Sequence, residues 1–375
     1  MNLTIPKISV VQNFKGHEAR KLDAIYVHQN KHFGSDALMK QLQAIASLYR
    51  IDVIRDKYYS TPWIQDCFCF TPDGKVLADN HFYGQEYADI HGLEYKYIDH
   101  KESQFIQKFV AGGNLLFVTD KDGKKVAITA RNLEGLSEVE GYEEEFGVDK
   151  VISLPHVDYH ADLFVTPIGD NKILIANDDL MLKQLDEMLD KALDYMHKHP
   201  NDEDIEQIEL FTTCLIESLY DFREVVGKYY YKGADEKAAK QLENEGFEVI
   251  RIPSRIYNFN DWNDNSYYEK ISHQLNYSNA ITFKNRKNEP VLIIGKSDFP
   301  RKCGLTPEIS KKLGIDFEDA FKKSIYPHVK PENIHFITGD KKMPISNILE
   351  NFKGGLHCMC VELPEYNLPI KVDLV

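Results

Sequence analysis

The residues best suited to chemistry in this chain lie in two short stretches, Pro155 to Leu163 (PHVDYHADL) and Gly354 to Cys358 (GGLHC). The first sets two His-x-Asp units back to back. Read as an extended strand, it sends His156, Asp158, His160 and Asp162 to one face, because successive side chains alternate. Four titratable groups on one face are costly to bury without partners, so that face is expected to meet solvent, a metal or a charged substrate. The second stretch places Cys358 after two glycines. A single cysteine is most often a packed hydrophobe, but a nucleophile needs an exposed thiolate and room for a substrate to approach, which Gly354 and Gly355 provide. Together the two stretches read as an acid/base pair and a nucleophile.

A divalent metal held by two His and two Asp is the competing reading of the first stretch. It leaves Cys358 and Asp66 without roles. Cys67-x-Cys69 and Cys358-x-Cys360 make a poor zinc site, since structural zinc sites use wider spacings and alternate strand positions do not wrap a tetrahedral ion. No metal and no cofactor are expected.

The elements around these stretches alternate between strand and helix patterns. AIYV at 24 to 27, a helix running from the Ser35/Asp36 cap through Leu38, Leu42, Ile45 and Tyr49, and IDVI at 51 to 54 form an α/β unit. TPWIQDCFCF at 61 to 70 reads as an aromatic-rich strand, with Asp66 among Trp63, Phe68 and Phe70 as an exposed carboxylate or an anion awaiting a cation. Gly112 and Gly113 open a hairpin that turns at Asp122 and Gly123, and LFVTPI and KILIAN flank Gly169 and Asp170 as another. From Asp178 the period becomes helical. Met181, Leu185, Met188, Ala192 and Met196 make one stripe, and Ile208, Phe211, Leu215, Leu219, Phe222 and Val226 a second, giving an antiparallel pair that serves packing. A third helix over 235 to 245 stops at Gly246 and feeds FEVIRI. The Asn- and aromatic-rich Tyr257 to Tyr268 has the composition of a binding or turn loop. AITF, VLIIG, IHFI and LHCMCVEL are the remaining strands.

The bulk numbers fit a globular protein. A length of 375 residues with 43% hydrophobic residues supports one large domain or two. The net charge of -14 argues against a general nucleic-acid binder and suits a cationic partner. No basic leader precedes an apolar run and no stretch is long and apolar enough to span a bilayer. A cytoplasmic protein is expected, export by a signal-less route being compatible. Six cysteines are too few and scattered for a disulfide framework and are expected to be thiols.

Five motifs, taken in order, carry a resemblance. WIQD at 63 to 66, AGGN at 111 to 114, HAD at 160 to 162, NYSN at 276 to 279 and GGLHC at 354 to 358 resemble the motifs of the guanidine-modifying enzymes of the pentein fold. These include agmatine deiminases, arginine deiminases and protein-arginine deiminases. Ala111 stands where many of them carry Glu. Of the two His-x-Asp units, the one at His160 is followed by HADLFVTPIGDNKILI without a gap relative to the bacterial relatives, which selects His160 and Asp162. The resemblance implies a single α/β domain over residues 1–375, a five-bladed propeller of ββαβ modules, with 178–246 as a helical insertion. It also implies a deiminase in which Cys358 attacks a guanidinium carbon and His160 moves protons. Asp66 and Asp162 would hold the guanidinium, and Trp63, Gly113, Asn114 and Asn279 would complete the substrate site. The substrate would be peptidyl arginine, agmatine or arginine, and the product a ureido compound. The same fold admits amidinotransferases and non-catalytic binding proteins. Carboxylates are the natural receptors, because a guanidinium is a planar cation at any ordinary pH and presents paired N–H groups.

Overall fold

The computed structural model describes residues 22–28, 36–56, 64–66, 68–72, 74–78, 85, 88–89, 93–97, 112–131, 141–157, 160–227, 233–254, 276–296, 303–338 and 355–364. In chain order the strands are β1 Leu22–His28, β2 Asp52–Asp56, β3 Cys69–Phe70, β4 Val76–Ala78, β5 Tyr95–Tyr97, β6 Leu116–Thr119, β7 Lys125–Ala130 and β8 Lys150–Leu154. They continue with β9 Val165–Gly169, β10 Lys172–Asn177, β11 Glu248–Pro253, β12 Ile281–Lys284, β13 Pro290–Gly295, β14 Ile334–Ile337 and β15 Cys360–Pro364.

These strands form five three-stranded sheets. In four of them the first strand runs antiparallel to the second through a hairpin, and the second pairs in parallel with the third across a longer connection. The remaining sheet has the same pattern with a different source of strands. Here β1 and β2 are the parallel pair, and the antiparallel partner of β1 is β15, from the other end of the described chain. Residues of β6, β9, β12 and β15 line one shared cavity, which puts the antiparallel edge strands of four sheets at a common centre. This is the α/β, pentein-type arrangement that the five motifs imply.

Local sequence explains the hairpins. Asp120 Oδ1 accepts from the N–H groups of Asp122 and Lys124, each at 2.9 Å, and Gly123 takes a φ of 82°. Asp170 and Asn171, at φ 54° and 63°, form the tight turn between β9 and β10, a conformation that Asp and Asn tolerate better than most residues. The parallel pairs need crossovers. Helix Asp36–Tyr49 joins β1 to β2, and helices Pro307–Leu313 and Asp319–Ile325 lie between β13 and β14. The β10 to β11 crossover is the longest, with helices Asp178–Lys198, Ile205–Gly227 and Ala234–Asn244. Asn177 caps the first by accepting from the N–H of Leu180 at 2.9 Å. The stripes Met181, Leu185, Met188, Ala192 and Ile208, Phe211, Leu215, Leu219, Phe222 pack with Leu174, Ile250, Ile252, Leu292 and Ile294 in one core. The long helices thus cover two neighbouring sheets, which is why β10 and β13 are buried on both faces and read as unbroken apolar runs.

Three strand expectations need correction, all in the same way. PHVDYHADL is not a strand: β8 ends at Leu154, and Ala161–Leu163 is a 3₁₀ turn. Among the described residues of TPWIQDCFCF the strand is Cys69–Phe70, preceded by a 3₁₀ turn at Ile64–Asp66. LHCMCVEL likewise begins as a 3₁₀ turn, His357–Met359. A short turn whose side chains are all buried shows the same run of apolar residues as a buried strand, so periodicity does not separate them. Tyr257 to Tyr268 lies outside the described residues.

The expectation that all cysteines are thiols is also corrected. Cys214, on the second long helix, is bonded to Cys303 just ahead of helix Pro307–Leu313, across 89 residues of sequence. The packing of the second long helix against the turn at Cys303, and not a cysteine spacing, brings them together. Cys69, Cys358 and Cys360 are buried thiols. No described helix is long and apolar enough to cross a membrane. Closing a loop of this length restricts the unfolded chain, so replacing both Cys214 and Cys303 by Ala is expected to cost about 2–4 kcal/mol. Urea unfolding without reductant measures this; equal stability of the variant and the parent, or two titratable thiols at these positions in the native protein, refutes the bond.

Candidate functional site

The residues singled out from sequence converge because the same device recurs ahead of each antiparallel edge strand. A 3₁₀ turn precedes β3 (Ile64–Asp66), β6 (Gly112–Asn114), β9 (Ala161–Leu163) and β15 (His357–Met359). Ahead of β12 the place is taken by Asn276 to Asn279, where Asn276 Oδ1 accepts from the N–H groups of Ser278 at 2.9 Å and Asn279 at 3.1 Å. Each turn delivers its side chains at the same end of its strand.

Asn279 ties three of these turns together. Its Oδ1 accepts from the N–H of His357 at 2.7 Å and of Cys358 at 3.3 Å. Its Nδ2 donates to the carbonyl O of Asp162 and to Cys358 Sγ, each at 3.2 Å. The two backbone donors fix which end of the amide is oxygen. Gly355 is required beside it: a Cβ there would sit 2.0 Å from Asn279 Oδ1.

Asp162 is the buried carboxyl group of the site, 2% exposed. Its Oδ2 lies 3.2 Å from Cys358 Sγ, which donates to it, and 2.8 Å from His357 Nδ1. Its Oδ1 is buried with no hydrogen-bond partner. Gly113 faces the same carboxylate and His160 together. A Cβ on Gly113 would lie 2.8 Å from His160 Nδ1 and 3.2 and 3.3 Å from the two Asp162 oxygens. The structure therefore brings His160, Asp162, Gly113, Asn279 and Cys358 into one place. Trp63 lies outside the described residues, as does the side chain of Asp66, whose backbone ends the first turn.

Asn114 and Asn279 stand in the sequence reading as substrate contacts. In the structure the Asn114 amide serves the backbone: Oδ1 accepts from Ala130 N at 3.0 Å and Ala161 N at 3.1 Å, and Nδ2 donates to Ala130 O at 3.3 Å. It fixes the Gly112 and Ala161 turns to β7. His156 goes elsewhere, its Nδ1 being 2.9 Å from the carbonyl O of Arg131. Burial pulls its pKa down, against the effect of that backbone bond. The expectation of one shared face thus fails for His156, because β8 ends at Leu154 and His156 turns to Arg131 while Asp162 sits on the Ala161 turn; Asp158 lies outside the described residues. No cluster of three metal-ligating side chains occurs among the described residues.

Sequence reasoning missed two members of the site. His357 stands out only as the residue before Cys358, and Glu362 not at all. Both are buried, and His357 Nε2 lies 3.5 Å from Glu362 Oε1. A lone carboxylate in the apolar run CMCVEL is the signal that could have found Glu362.

The two thiols of that run differ in kind. Burial, and then the charge of Glu362, push the Cys360 thiol well up, which leaves it inert. Cys358 instead has an amide donor and a carboxylate at its sulfur. Iodoacetamide at pH 8 is expected to modify Cys358 at least about tenfold faster than Cys360. Peptide mapping by mass spectrometry reads this, and preferential labelling of Cys360 is the contrary result.

No family model and no curated protein matches the chain. Solved structures do show similarity. The agmatine deiminase of C. jejuni is 15% identical over 93% of this chain and 95% of that chain, with a TM-score of 0.49. A DDAH from Pseudomonas aeruginosa, solved with citrulline, is 12% identical over 92% and 100%, with a TM-score of 0.39. An arginine dihydrolase from cyanobacteria is 12% identical over 93% of this chain and 40% of that chain, with a TM-score of 0.42. The fold is of the pentein type: five sheets of one strand order, the last strand pairing back onto the first, with the side chains of the site carried on the turns between them.

Proposed function

We propose that this chain is a hydrolase of guanidinium compounds, a deiminase that releases ammonia and leaves a ureido product. The observation that carries the reading is the Asp162 carboxylate, buried with Oδ1 unpartnered while Oδ2 lies 3.2 Å from the thiol of Cys358. A buried carboxylate oxygen without a donor is costly. A cationic N–H donor from a substrate relieves that cost, and a planar guanidinium bound at Oδ1 carries its central carbon toward the sulfur beside Oδ2. Asp66, on the turn ahead of β3, is the second carboxylate of this reading.

In the reaction Cys358, as thiolate, forms a bond to the guanidinium carbon, and a C–N bond of the tetrahedral adduct breaks. His160 gives a proton to the departing ammonia. Water then adds to the resulting thiouronium, His160 takes its proton, and the C–S bond breaks to return the thiolate and a ureido group. The net change is guanidinium plus water to urea derivative plus ammonium. Asn279 holds the sulfur and Asp162 in register throughout. Gly113 leaves the space in which His160 and the carboxylate face one substrate.

Among substrates the reading favours peptidyl arginine over agmatine, because Gln65 stands where the small-molecule enzymes that the WIQD motif resembles usually carry Arg. A free arginine would need a cationic partner for its carboxylate.

The test is turnover of an arginine peptide, agmatine and free arginine, with ammonia and ureido product measured separately. Both are expected from at least one substrate, with the peptide preferred in kcat/KM. Cys358→Ala is expected to lower turnover by at least about a thousandfold with its unfolding midpoint retained. Gly113→Ala, which keeps every functional group but crowds His160 and Asp162, is expected to lower kcat/KM by about ten- to a hundredfold. Transfer of the amidino group to an added amine without ammonia indicates an amidinotransferase instead. Turnover by Cys358→Ala ends the covalent mechanism.

A further inference from the structure

The Asn276 to Asn279 turn carries a second unpaired polar group beside the site. Asn276 is 5% exposed. Its Oδ1 accepts from the N–H groups of Ser278 at 2.9 Å and Asn279 at 3.1 Å, and these two donors fix which end of the amide is oxygen. The other end, Nδ2, is buried and has no hydrogen-bond partner among the described residues. A buried donor left in this state costs free energy that a ligand acceptor can return.

The turn that holds this donor also organises the site. Asn279, three residues on, reaches Cys358 Sγ and the carbonyl O of Asp162 with its side chain, and Ser278 lines the central cavity together with Asp162. Asp162 supplies the complementary group, since its Oδ1 is a buried acceptor without a partner. Two turns joined through Asn279 therefore present one unpaired acceptor and one unpaired donor. They are not equally close to the sulfur. Asn276 binds the backbone N–H of Asn279, whereas the side chain of Asn279 binds the sulfur, so the Asn276 amide stands one residue's reach farther out.

A ligand that satisfies both groups carries N–H donors at one end and, several bonds away, an oxygen. An arginine skeleton has this form, with its guanidinium at the tip of the side chain and a carbonyl or carboxylate at the α-carbon. Agmatine and simple alkylguanidines lack the oxygen. We propose that Asn276 is a substrate-binding residue that sets specificity, its Nδ2 donating to the oxygen at the α-carbon end of an arginine-type substrate whose guanidinium is held at Asp162. The proposal rests on the guanidine reading of the site, and it reaches arginine over agmatine from a different residue than Gln65. A neutral amide donor suits the neutral carbonyl of a peptide, because a carboxylate draws more from a cation.

Binding tests this without turnover. N-acetylarginine amide, free arginine and butylguanidine are titrated into Cys358→Ala by calorimetry. The acetylated amide and butylguanidine each carry a single positive charge and differ at the oxygen-bearing end. The acetylated amide is expected to bind at least about fivefold more tightly than butylguanidine. Adding Asn276→Asp keeps an oxygen for the N–H groups of Ser278 and Asn279 but replaces the donor by an acceptor. The advantage of the acetylated amide is expected to disappear there while butylguanidine still binds, and the charge of the new Asp acts on both single cations and so cancels in their ratio. If free arginine shows the advantage more strongly than the acetylated amide, the oxygen is that of a carboxylate; the reverse order identifies a peptide carbonyl. Equal affinity of all three ligands before the Asn276 change overturns the proposal, whatever that variant does. An unchanged ratio in a folded Asn276→Asp protein overturns it as well. In both of these cases guanidines bind and the proposed function stands, whereas a protein that binds no guanidine at all refutes that function and this proposal together.

Discussion

The site hangs on one side-chain amide. Asn279 reaches two backbone N–H groups of the His357 turn with its oxygen, and the Asp162 carbonyl and the Cys358 sulfur with its nitrogen. These partners lie 117 and 79 residues away from it in sequence. A buried amide that finds four partners is rigid, because losing any of them leaves an unsatisfied group in a place water does not reach. Rigidity keeps the Cys358 thiol and the Asp162 carboxylate in contact at 3.2 Å, because Asn279 holds the turns that carry them.

The rest of the fold can be understood as the means of presenting turns to that amide. Each sheet offers an antiparallel edge strand, and ahead of each such strand the chain makes one tight turn. The hairpin after the edge strand and the parallel crossover that follows anchor it from behind, under helices whose apolar stripes cover the outer faces. The turn carrying Cys358 has a special dependence. Its strand, β15, belongs to the same sheet as β1 and β2, so Cys358 is placed only when the two ends of the described chain have paired. Asp162 and His357 meet across 195 residues, a contact that forms late in any folding order governed by loop closure. The site is therefore a property of the completed structure, with no local segment that carries it alone.

That organisation also decides what could be read from the sequence. The hairpins were legible because Gly123, Gly169 and Asp170 have the turn chemistry that φ > 0 positions demand, and the long helices because their stripes recur at 3.6 residues. The candidate residues His160, Asp162, Asn279 and Cys358 could be named because the motifs that carry them resemble those of the guanidine-modifying enzymes, with Cys358 marked also by the glycines before it. What could not be read was their backbone. Ala161–Leu163 and His357–Met359 are buried, and a buried turn of three residues has no period to distinguish it from a strand. The Cys214–Cys303 bond was equally hidden, since a helix packed against a distant turn sets its geometry and the spacing of 89 residues carries no signal. Glu362 drew no attention within a strand-like run. Only the closure of β15 onto β1 reveals that it points to the centre.

A site for a cation inside a protein faces opposed demands. It must hold negative charge to bind, yet burial makes that charge expensive until the ligand arrives. Asp162 alone would satisfy the first demand and violate the second. The structure meets both by surrounding Asp162 with donors at one oxygen and leaving the other open: Oδ2 faces His357 and Cys358, and Oδ1 has no partner. The groups at Oδ2 fix the orientation of the carboxylate, and the open oxygen keeps a direction for a donor. In the proposed function that donor is an N–H group of a guanidinium, and the division of labour between the two oxygens of one carboxylate is what would let a buried acid receive a cation with a sulfur already in contact.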